Sequence, residues 1–268
     1  MKYDPLKHEV GKWGRRHPWF RKLLYLLLDL VLLRTWHIKR EIRAIRPLLP
    51  ETARILDAGS GFGQYLFYLS GLSRRWILKG VDVKEEQIAD CTDFFPRAGR
   101  NHVQFEVADL TRFSEPRSYD LILSVDVMEH IEEDEAVFRN LYDALTDRGF
   151  LVLSTPSDQG GSDAGHPGGE SFIGEHVRNG YSRVDITRKL QAAGFKEIDS
   201  KYSYGFPGHL SWVLSIKFPM LLLSISRVLC VVLVPYFAAM GVFILILNWF
   251  DTRFRHRSGT GLVVVARK

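Results

Sequence analysis

The sequence predicts an α/β fold, in which a mostly parallel sheet carries helices on both of its faces. Between residues 54 and 154, short apolar runs of strand length alternate with stretches of helix length. A glycine-rich turn follows the first apolar run, and acidic residues end or follow several later ones. Strands separated by helical crossovers imply parallel pairing. Because ligands of such sheets bind at the carboxyl ends of the strands, we expect these glycines and acids to line a ligand site.

The individual elements follow from the hydrophobic periodicity of this segment. At 268 residues, the chain is long enough for one such domain with additional segments at its ends. Strands are predicted at residues 54–58, 76–83, 103–108, 119–125 and 149–154, and helices at residues 64–72, 85–94 and 133–145.

The turn after the first strand is the most informative part of the chain. Residues 54–63 read RILDAGSGFG, so Asp57 ends the strand and three glycines follow at every second position. Glycines permit a positive φ and the close approach of a ligand. The dinucleotide fingerprint needs a third glycine where this chain has Gln64. An acid at the bend also suits a cationic ligand better than a pyrophosphate, so an NAD-dependent enzyme is disfavoured.

Acidic residues at the ends of the next strands extend this edge. Asp82 ends the second strand about 20 residues beyond the turn, where a carboxylate commonly accepts hydrogen bonds from ribose hydroxyls. Asp109 ends the third strand and is suited to an adenine amino group. The fourth strand continues into SVDVMEH (124–130), where Asp126, Glu129 and His130 are either a cap or solvated start of a helix or contacts to the substrate. A single strand-end aspartate is often only a helix cap or a turn former, but their combination with the glycine turn favours a nucleoside site.

These motifs resemble those of the class I S-adenosylmethionine-dependent methyltransferases, in the branch of quinone-biosynthesis and general small-molecule methyltransferases. The resemblance covers roughly residues 50–205 and 260–268, and Ser60 stands where the family often has cysteine. It implies a Rossmann-like, seven-stranded, mostly parallel sheet in which strands near 196–204 and 261–266 are neighbours. The motifs are ILDAGSGFG (55–63), GVDV (80–83), VADL (107–110), YDLILSVDVMEHI (119–131), GFLVLSTP (149–156) and EHVRNGYSRVDITRKLQAAGF (175–195).

The resemblance also implies S-adenosylmethionine as the cofactor and a role for each residue of the edge. The methionine half would lie against the glycine turn and the ribose against Asp82. Adenine would pack on Val83, and the sulfonium would lie near Ser124. The residues expected to bind the cofactor are Asp57, Gly59, Ser60, Gly61, Gly63, Asp82, Val83, Asp109, Leu110 and Ser124.

A general base is needed only where the acceptor must lose a proton when it is methylated. Histidine suits this role because its pKa lies near neutrality. His130 and His176 are the candidate catalytic residues, and His166 lies in the glycine-rich segment 158–171, which is either a lid or a connector.

The two cysteines have no metal-ligand spacing, so no metal site is expected, and they fit a reducing compartment.

Charge is distributed unevenly along the chain. Residues 1–50 contain 12 Lys+Arg against 4 Asp+Glu, residues 51–200 contain 16 against 26, and residues 201–268 contain 8 against 1. The two basic ends are also the most apolar parts. A nucleic-acid binder would more often carry positive charge on its globular part, whereas basic and apolar segments are typical of an anionic membrane surface. We therefore expect a membrane surface and no nucleic acid as a partner, and no signal peptide.

The N-terminal region, residues 1–50, is predicted to be helical, basic and apolar. Its apolar run at residues 23–33 is too short to span a bilayer. Arginines, lysines and tryptophans flank that run on both sides, as they do in segments at a membrane interface. We expect an amphipathic helix that lies in a membrane surface. The alternative is a helix that packs on the domain and covers the substrate pocket.

The second apolar region, residues 206–258, interrupts a methyltransferase domain that comprises residues 51–205 and 259–268. Residues 228–247 carry no charge and are long enough to cross a membrane. Because the strands on either side are neighbours in the family's sheet, both ends of the insertion must return to the same side. Lys217 makes a crossing by the first arm costly, so we expect a helical hairpin that dips into one leaflet. The alternative is a hydrophobic cap or a dimer interface.

The favoured hypothesis is an S-adenosylmethionine-dependent methyltransferase that modifies a lipophilic small molecule. It would be cytoplasmic, and peripheral or monotopic at the inner face of the membrane. One alternative is a soluble small-molecule methyltransferase with an apolar cap. The other is a non-catalytic cofactor-binding module, against which the intact glycine turn and Asp82 argue.

Overall fold

One mixed sheet forms the centre of the protein, whose computed structural model describes residues 18–160, 177–226 and 229–268. The strands in these ranges are β1 (Arg54–Ala58), β2 (Ile77–Asp82), β3 (Val103–Val107), β4 (Tyr119–Val125), β5 (Leu145–Pro156), β6 (Glu197–Ser203) and β7 (Gly261–Arg267). Their order is β3-β2-β1-β4-β5-β7-β6. The strands β1 to β5 pair in parallel, and β7 runs antiparallel to both of its neighbours. The predicted seven-stranded, mostly parallel sheet is confirmed.

Helices cover both faces of the sheet. In chain order they are α1 (Pro18–Val31), α2 (Leu33–Ile45), α3 (Gln64–Leu72), α4 (Glu85–Arg97), α5 (Asp134–Ala144), α6 (Arg183–Ala193), α7 (Phe206–Trp212), α8 (Phe218–Ile225) and α9 (Cys230–Arg253). Residues of α2, α3 and α4 contribute to one hydrophobic core, and residues of α5 and α6 contribute to the other.

The inner strands β1, β4, β5 and β7 are mostly buried on both faces, which explains why they read as nearly continuous apolar runs, whereas β3 has exposed residues. Successive side chains of a strand point to opposite faces, so Ile55 belongs to one core and Leu56 to the other. The pairs Leu121 and Ile122, Leu151 and Val152, and Val263 and Val264 divide in the same way. With both faces covered by helices, the carboxyl edge of the strands is where a ligand can reach the sheet.

The N-terminal segment forms two helices where the sequence predicts one. Leu32 is extended, with φ −79° and ψ 109°, and separates α1 from α2. This break lets α2 bury Ile38 and Ile42 in the core while α1 takes a separate course. The orientation of α1 is unusual, because its polar side faces the protein and buries Arg21 and Tyr25. Its apolar side is exposed at Trp19, Leu23, Leu26, Leu27 and Leu30.

The insertion between β6 and β7 is a helical hairpin. Its first arm, Phe206–Ile225, comprises α7, a π-helical turn at Val213–Lys217 and α8; its second arm is α9. The Tyr236 hydroxyl of α9 donates to the Leu214 carbonyl of the first arm at 2.8 Å, and the Phe218 and Tyr236 rings lie 5.1 Å apart. Both arms are long and apolar enough to cross a membrane by length and composition. The strands β6 and β7 are neighbours, so both ends of the hairpin meet at the same edge, as the sequence predicts.

A buried carboxylate fixes the base of this hairpin to the rest of the protein. Asp251, near the end of α9, is fully buried. It accepts hydrogen bonds from the backbone N–H groups of Tyr204 and Gly208, at 3.1 and 3.0 Å. The imidazoles of His37 and His256 lie 2.9 and 3.0 Å from its oxygens. The hairpin, α2 and the end of β6 are thereby joined at one point.

Candidate functional site at the carboxyl edge of the sheet

The glycine turn after β1 is held in a conformation that only glycine adopts readily. The N–H groups of Gly59 and Ser60 both donate to the Val81 carbonyl of β2, at 2.8 and 2.9 Å. Gly59 has φ +85°, and a Cβ on it would lie 2.3 Å from a methyl group of Val127. Gly63 has φ +80° and ends the turn at the start of α3. Gly61 also has a positive φ, +52°, but it is less crowded, since a Cβ there would meet only the Gln87 side chain, at an ordinary contact distance of 3.5 Å.

Asp82 braces this turn from the neighbouring strand. One of its oxygens accepts from the Gly61 N–H at 2.9 Å, and the other accepts from the Lys84 N–H at 2.9 Å. An ionised carboxylate has about four acceptor positions, so both oxygens can still accept from the hydroxyls of a ribose. The partly buried position of Asp82 leaves room for this contact.

Asp57 is a buried carboxyl group without a full set of partners. Burial, with a further contribution from the charge of Asp82, raises the pKa of Asp57 to about 7. Its Oδ2 atom has no hydrogen-bond partner among the described residues, and neither do the hydroxyls of Ser60 and Ser124. Buried polar atoms are nearly always satisfied, so three such atoms at one strand edge indicate a missing polar ligand.

These features fit S-adenosylmethionine. Its ammonium group is a suitable partner for Asp57, and its ribose hydroxyls are suitable donors for Asp82. The backbone at Gly61 is open to a close approach, and the hydroxyls of Ser60 and Ser124 are available for hydrogen bonds. When bound, the cofactor supplies a methyl group that its sulfonium has already activated.

The pKa of Asp57 predicts that cofactor affinity depends on pH. Below about pH 7 the free protein holds a proton on Asp57, and this proton must leave before the carboxylate can pair with an ammonium group. The dissociation constant for S-adenosylmethionine should therefore rise as the pH falls below 7, by about tenfold for each unit. Calorimetry across this range tests the prediction. The Asp57→Asn variant should bind more weakly and with a flat pH profile; an unchanged slope in that variant would refute the assignment.

The adenine end of the predicted site is open. Val83 is exposed directly after Asp82, whereas Leu110 is buried in the core. The Thr111 N–H and hydroxyl both donate to Asp109, at 2.9 and 2.8 Å, and hydrogen bonding from Thr111 lowers the pKa of that carboxyl. Asp109 is therefore ionised at neutral pH and also forms the turn that follows β3.

Of the two candidate catalytic histidines, one lies at this edge. His130 ends a 3₁₀ turn, Met128–His130, that follows β4, and it is half-buried. His176 lies outside the described residues, as do His166 and most of the glycine-rich segment 158–171. The role of His130 as a base remains a prediction.

The structure adds a group of polar residues that the sequence did not assign. Arg34, at the start of α2, forms an ion pair with Asp126, and its backbone N–H donates to the Tyr204 hydroxyl at 3.2 Å. Asp126 and Tyr204 both have φ +54°, a conformation that is costly for residues with a Cβ and is concentrated at functional sites. Two strained residues, which directly follow β4 and β6, thus meet at one arginine. The sequence signal for this group is Asp126 in the polar run after β4, which predicts either a helix cap or a substrate contact.

Glu129 is a second buried carboxyl group in this region. It is almost fully buried, and the Thr155 hydroxyl of β5 donates to it at 3.3 Å. Burial is the main reason why the pKa of Glu129 rises to about 7. A carboxyl group with this pKa can take up or release a proton at neutral pH, so Glu129 joins His130 as a candidate base.

The N-terminal helices form a wall beside the glycine turn. Arg21 and Tyr25 of α1 both donate hydrogen bonds to the Phe62 carbonyl within the turn. The Gln64 side chain, at the position that excludes a dinucleotide fingerprint, donates to Asp29 of α1 at 2.8 Å. The polar side of α1 therefore packs on the domain, as one of the two alternatives predicts, and whether α1 also covers a substrate pocket stays a prediction.

Comparison with known proteins identifies the domain. Residues 33–200 match the family described as Methyltransferase domain. Phosphoethanolamine N-methyltransferase 1 of Triticum aestivum is 30% identical over 152 residues, which cover 54% of this chain and 28% of that protein. Malonyl-[acyl-carrier protein] O-methyltransferase of Bacillus cereus is 34% identical over 107 residues, which cover 39% of each chain. The chain thus spans well under half the length of these two relatives.

A solved structure shows the same fold. Phosphoethanolamine N-methyltransferase 2 of Haemonchus contortus, in complex with S-adenosyl-L-methionine, superposes with a TM-score of 0.59 at 17% identity, over 85% of this chain and 52% of that one. The predicted family, fold and cofactor are confirmed, and this chain belongs to the class I S-adenosylmethionine-dependent methyltransferases.

Proposed function

We propose that this protein transfers a methyl group from S-adenosylmethionine to a lipophilic small molecule at a membrane surface. The observation that carries this proposal is the apolar surface presented by α1 and by the hairpin. Relatives such as the wheat enzyme are named for the polar acceptor phosphoethanolamine. The hairpin lies beyond residues 33–200, which match the family, so it is a feature that the domain itself does not require.

The first support is the orientation of α1. A surface helix of a soluble protein ordinarily turns its apolar side to the core. Here Arg21 and Tyr25 take the buried side, while Trp19 is 62% exposed and leucines on the same helix face outward. An apolar face that is exposed beside flanking basic residues is the arrangement of a helix in a membrane interface.

The second support is the surface of the hairpin. Only 6% of the most apolar 18-residue stretch in α9 is buried, and only 22% of the corresponding stretch in the first arm. Exposed apolar patches of this extent mark membrane or protein contacts. The exposed residues of the two arms include Leu221, Ile225, Val231, Val234, Val242, Phe243, Ile246, Trp249 and Phe250.

The topology supports a monotopic arrangement. Both ends of the hairpin are fixed at the sheet edge, so the protein enters and leaves the membrane from one side. Lys217 is exposed in the middle of the first arm, where a full crossing would place its charge in hydrocarbon. The basic residues around the hairpin base and the free thiols of Cys91 and Cys230 favour the cytoplasmic face.

The residues at the strand edge have separable tasks in this reaction. Asp57, Asp82 and the glycine turn hold and orient the donor, which is the main requirement of an in-line displacement. The wall formed by α1 and α2 excludes water from that edge. Where the acceptor loses a proton, the carboxyl group of Glu129 or the imidazole of His130 receives it. Arg34 is placed to bind an acidic group of the acceptor, with Asp126 as its partner in the free protein.

Cys230 provides a direct test of membrane insertion, because it is exposed at the start of α9 whereas Cys91 is buried. In protein bound to anionic vesicles, a water-soluble maleimide should label Cys230 at least about tenfold more slowly than it labels the same residue in urea-unfolded protein. The reason is that a hydrocarbon environment suppresses ionisation of the thiol to the reactive thiolate. The control is a double variant, Cys230→Ser with Arg139→Cys. The cysteine introduced on α5 is exposed and should remain fully reactive. Equal protection at both positions, or none at Cys230, would contradict the membrane proposal.

A further inference from the structure

A groove separates the N-terminal helices from the hairpin. Its volume is about 480 Å³, and it lies between α1, α2 and α9. It is distinct from the carboxyl edge of the sheet that holds the predicted cofactor residues. The residues that line it are Leu26, Asp29, Leu30, Trp36, Lys39, Arg40, Arg43, Trp249, Thr252 and Arg253.

Positive charge dominates the groove. The lining contains four cationic side chains and a single carboxylate, that of Asp29. The cations are Lys39, Arg40, Arg43 and Arg253. Asp29 is shared, since one of its oxygens pairs with Lys39 and the other accepts from Gln64.

The four cations are only partly compensated. Lys39 pairs with Asp29. Arg40 donates to the Thr252 carbonyl, and its Nε atom lies 4.0 Å from a carboxylate oxygen of Glu41. Within the described part of the chain, the guanidinium groups of Arg43 and Arg253 have no hydrogen bond or ion pair. Burial lowers the pKa of Lys39, and the charge of Arg43 lowers it further. Like charges that repel one another in a concave site are stabilised by a bound anion.

The walls of the groove show which kind of anion fits. Leu26 and Trp249 are each more than half exposed, at 54% and 52%, and Trp36 lies beside them. These apolar side chains continue into the exposed faces of α1 and α9. Tryptophan beside arginine and lysine is the usual composition of a protein surface at the level of lipid headgroups. An anion that is joined to acyl chains can use both the basic and the apolar parts of this surface, whereas a free phosphate ester can use only the basic part.

We infer that this groove binds the phosphate of an anionic phospholipid, with the acyl chains lying along α1 and α9. The inference deepens the membrane part of the proposed function and rests on it. It differs from a diffuse attraction between a basic protein and a negative surface, because it assigns the affinity to four side chains in one groove.

The test compares two double variants that remove the same charge from different places. Arg43→Gln with Arg253→Gln alters the groove, and Arg74→Gln with Arg139→Gln alters exposed arginines elsewhere on the domain. Affinity is measured by flotation on phosphatidylglycerol-containing vesicles and on neutral phosphatidylcholine vesicles. The groove variant should lose about tenfold or more of its affinity for phosphatidylglycerol vesicles, and the control less than about threefold. Equal urea-unfolding midpoints would show that both variants are folded.

The other outcomes separate the two proposals. An equal loss of affinity in both double variants would contradict the assignment of phospholipid binding to the groove, but it would not contradict the membrane proposal. Wild-type protein that floats with neither kind of vesicle would overturn both. Soluble glycerol phosphate is added as a competitor; if it displaces the protein at concentrations comparable to those of the lipid, the groove binds a free phosphate ester and the lipid assignment is wrong.

Discussion

Replacing Asp251 with alanine is expected to lower the free energy of unfolding by about 3–5 kcal/mol, the usual cost of removing one partner from a buried charged network. The carboxylate is fully buried and receives hydrogen bonds from α2, from the backbone after β6 and from His256. Its loss would leave two backbone N–H groups and two imidazoles without their acceptor. Because the same contacts fix the base of the hairpin, the variant should also become sensitive to proteases near residues 204–208.

The control for this experiment is Asp199→Ala. Asp199 forms an ion pair with Arg255 at 2.8 Å, but both side chains are at least half exposed, so its removal should cost no more than about 1 kcal/mol. Urea unfolding in a mild detergent gives both values. A cost for Asp251→Ala as small as that for Asp199→Ala would mean that Asp251 does not join the hairpin to the domain.

Replacing Asp82 with alanine is expected to weaken the binding of S-adenosylmethionine by about 100-fold or more, since each hydrogen bond to a charged group contributes about 1.5–3 kcal/mol. Two effects combine. The variant loses the acceptor for the ribose hydroxyls, and it also loses the brace on the Gly61 and Lys84 N–H groups. Asp82→Asn keeps one acceptor oxygen and should lie between wild type and alanine.

Calorimetric titration with S-adenosylmethionine measures this effect. Asp93→Ala serves as the control, because Asp93 is an exposed carboxylate at the other end of α4 that pairs only with Arg97 among the described groups. It should bind the cofactor as wild type does. If Asp82→Ala also binds with unchanged affinity, the assignment of Asp82 to the ribose is wrong.

The sheet could be predicted closely because its signal is local. Each of the parallel strands β1 to β4 is a short run with apolar residues that ends at or beside an acid, and these strands lie within one residue of the predicted bounds. The largest difference is β5, which begins at Leu145 and not at residue 149. Leu145 pairs with Tyr119 across a shift in register, and such a bulge has no apolar periodicity to reveal it.

The candidate site could be predicted only in part, for a related reason. The glycine turn and the strand-end acids lie within short motifs, so their spacing is visible in the sequence. The contacts of Arg34 with Asp126 and of His37 with Asp251 join residues 92 and 214 positions apart. No local pattern links such residues, and only the packing of the N-terminal helices and the hairpin on the sheet brings them together.

Which side of α1 is buried against the domain also could not be predicted from the sequence. Its spacing of leucines predicts an amphipathic helix, but periodicity does not say which side is buried. Arg21 decides the orientation, because it donates to the Phe62 carbonyl and stacks 4.5 Å above the Phe94 ring. The polar side of the helix is thus packed on the domain and its leucines are exposed, and its position in a membrane surface stays a prediction.

Methyl transfer to a lipophilic acceptor can be measured directly with a labelled methyl group. Purified protein, bound to vesicles, is incubated with methyl-labelled S-adenosylmethionine and an extract of the cells in which the protein occurs naturally. The products are then divided between organic and aqueous phases. We expect label in the organic phase, and much less of it with Asp82→Ala at cofactor concentrations that do not saturate the variant. Label found only in the aqueous phase would make the hairpin a cap or an interface of a soluble enzyme. No transfer to either phase, with cofactor binding confirmed, would contradict the catalytic role itself.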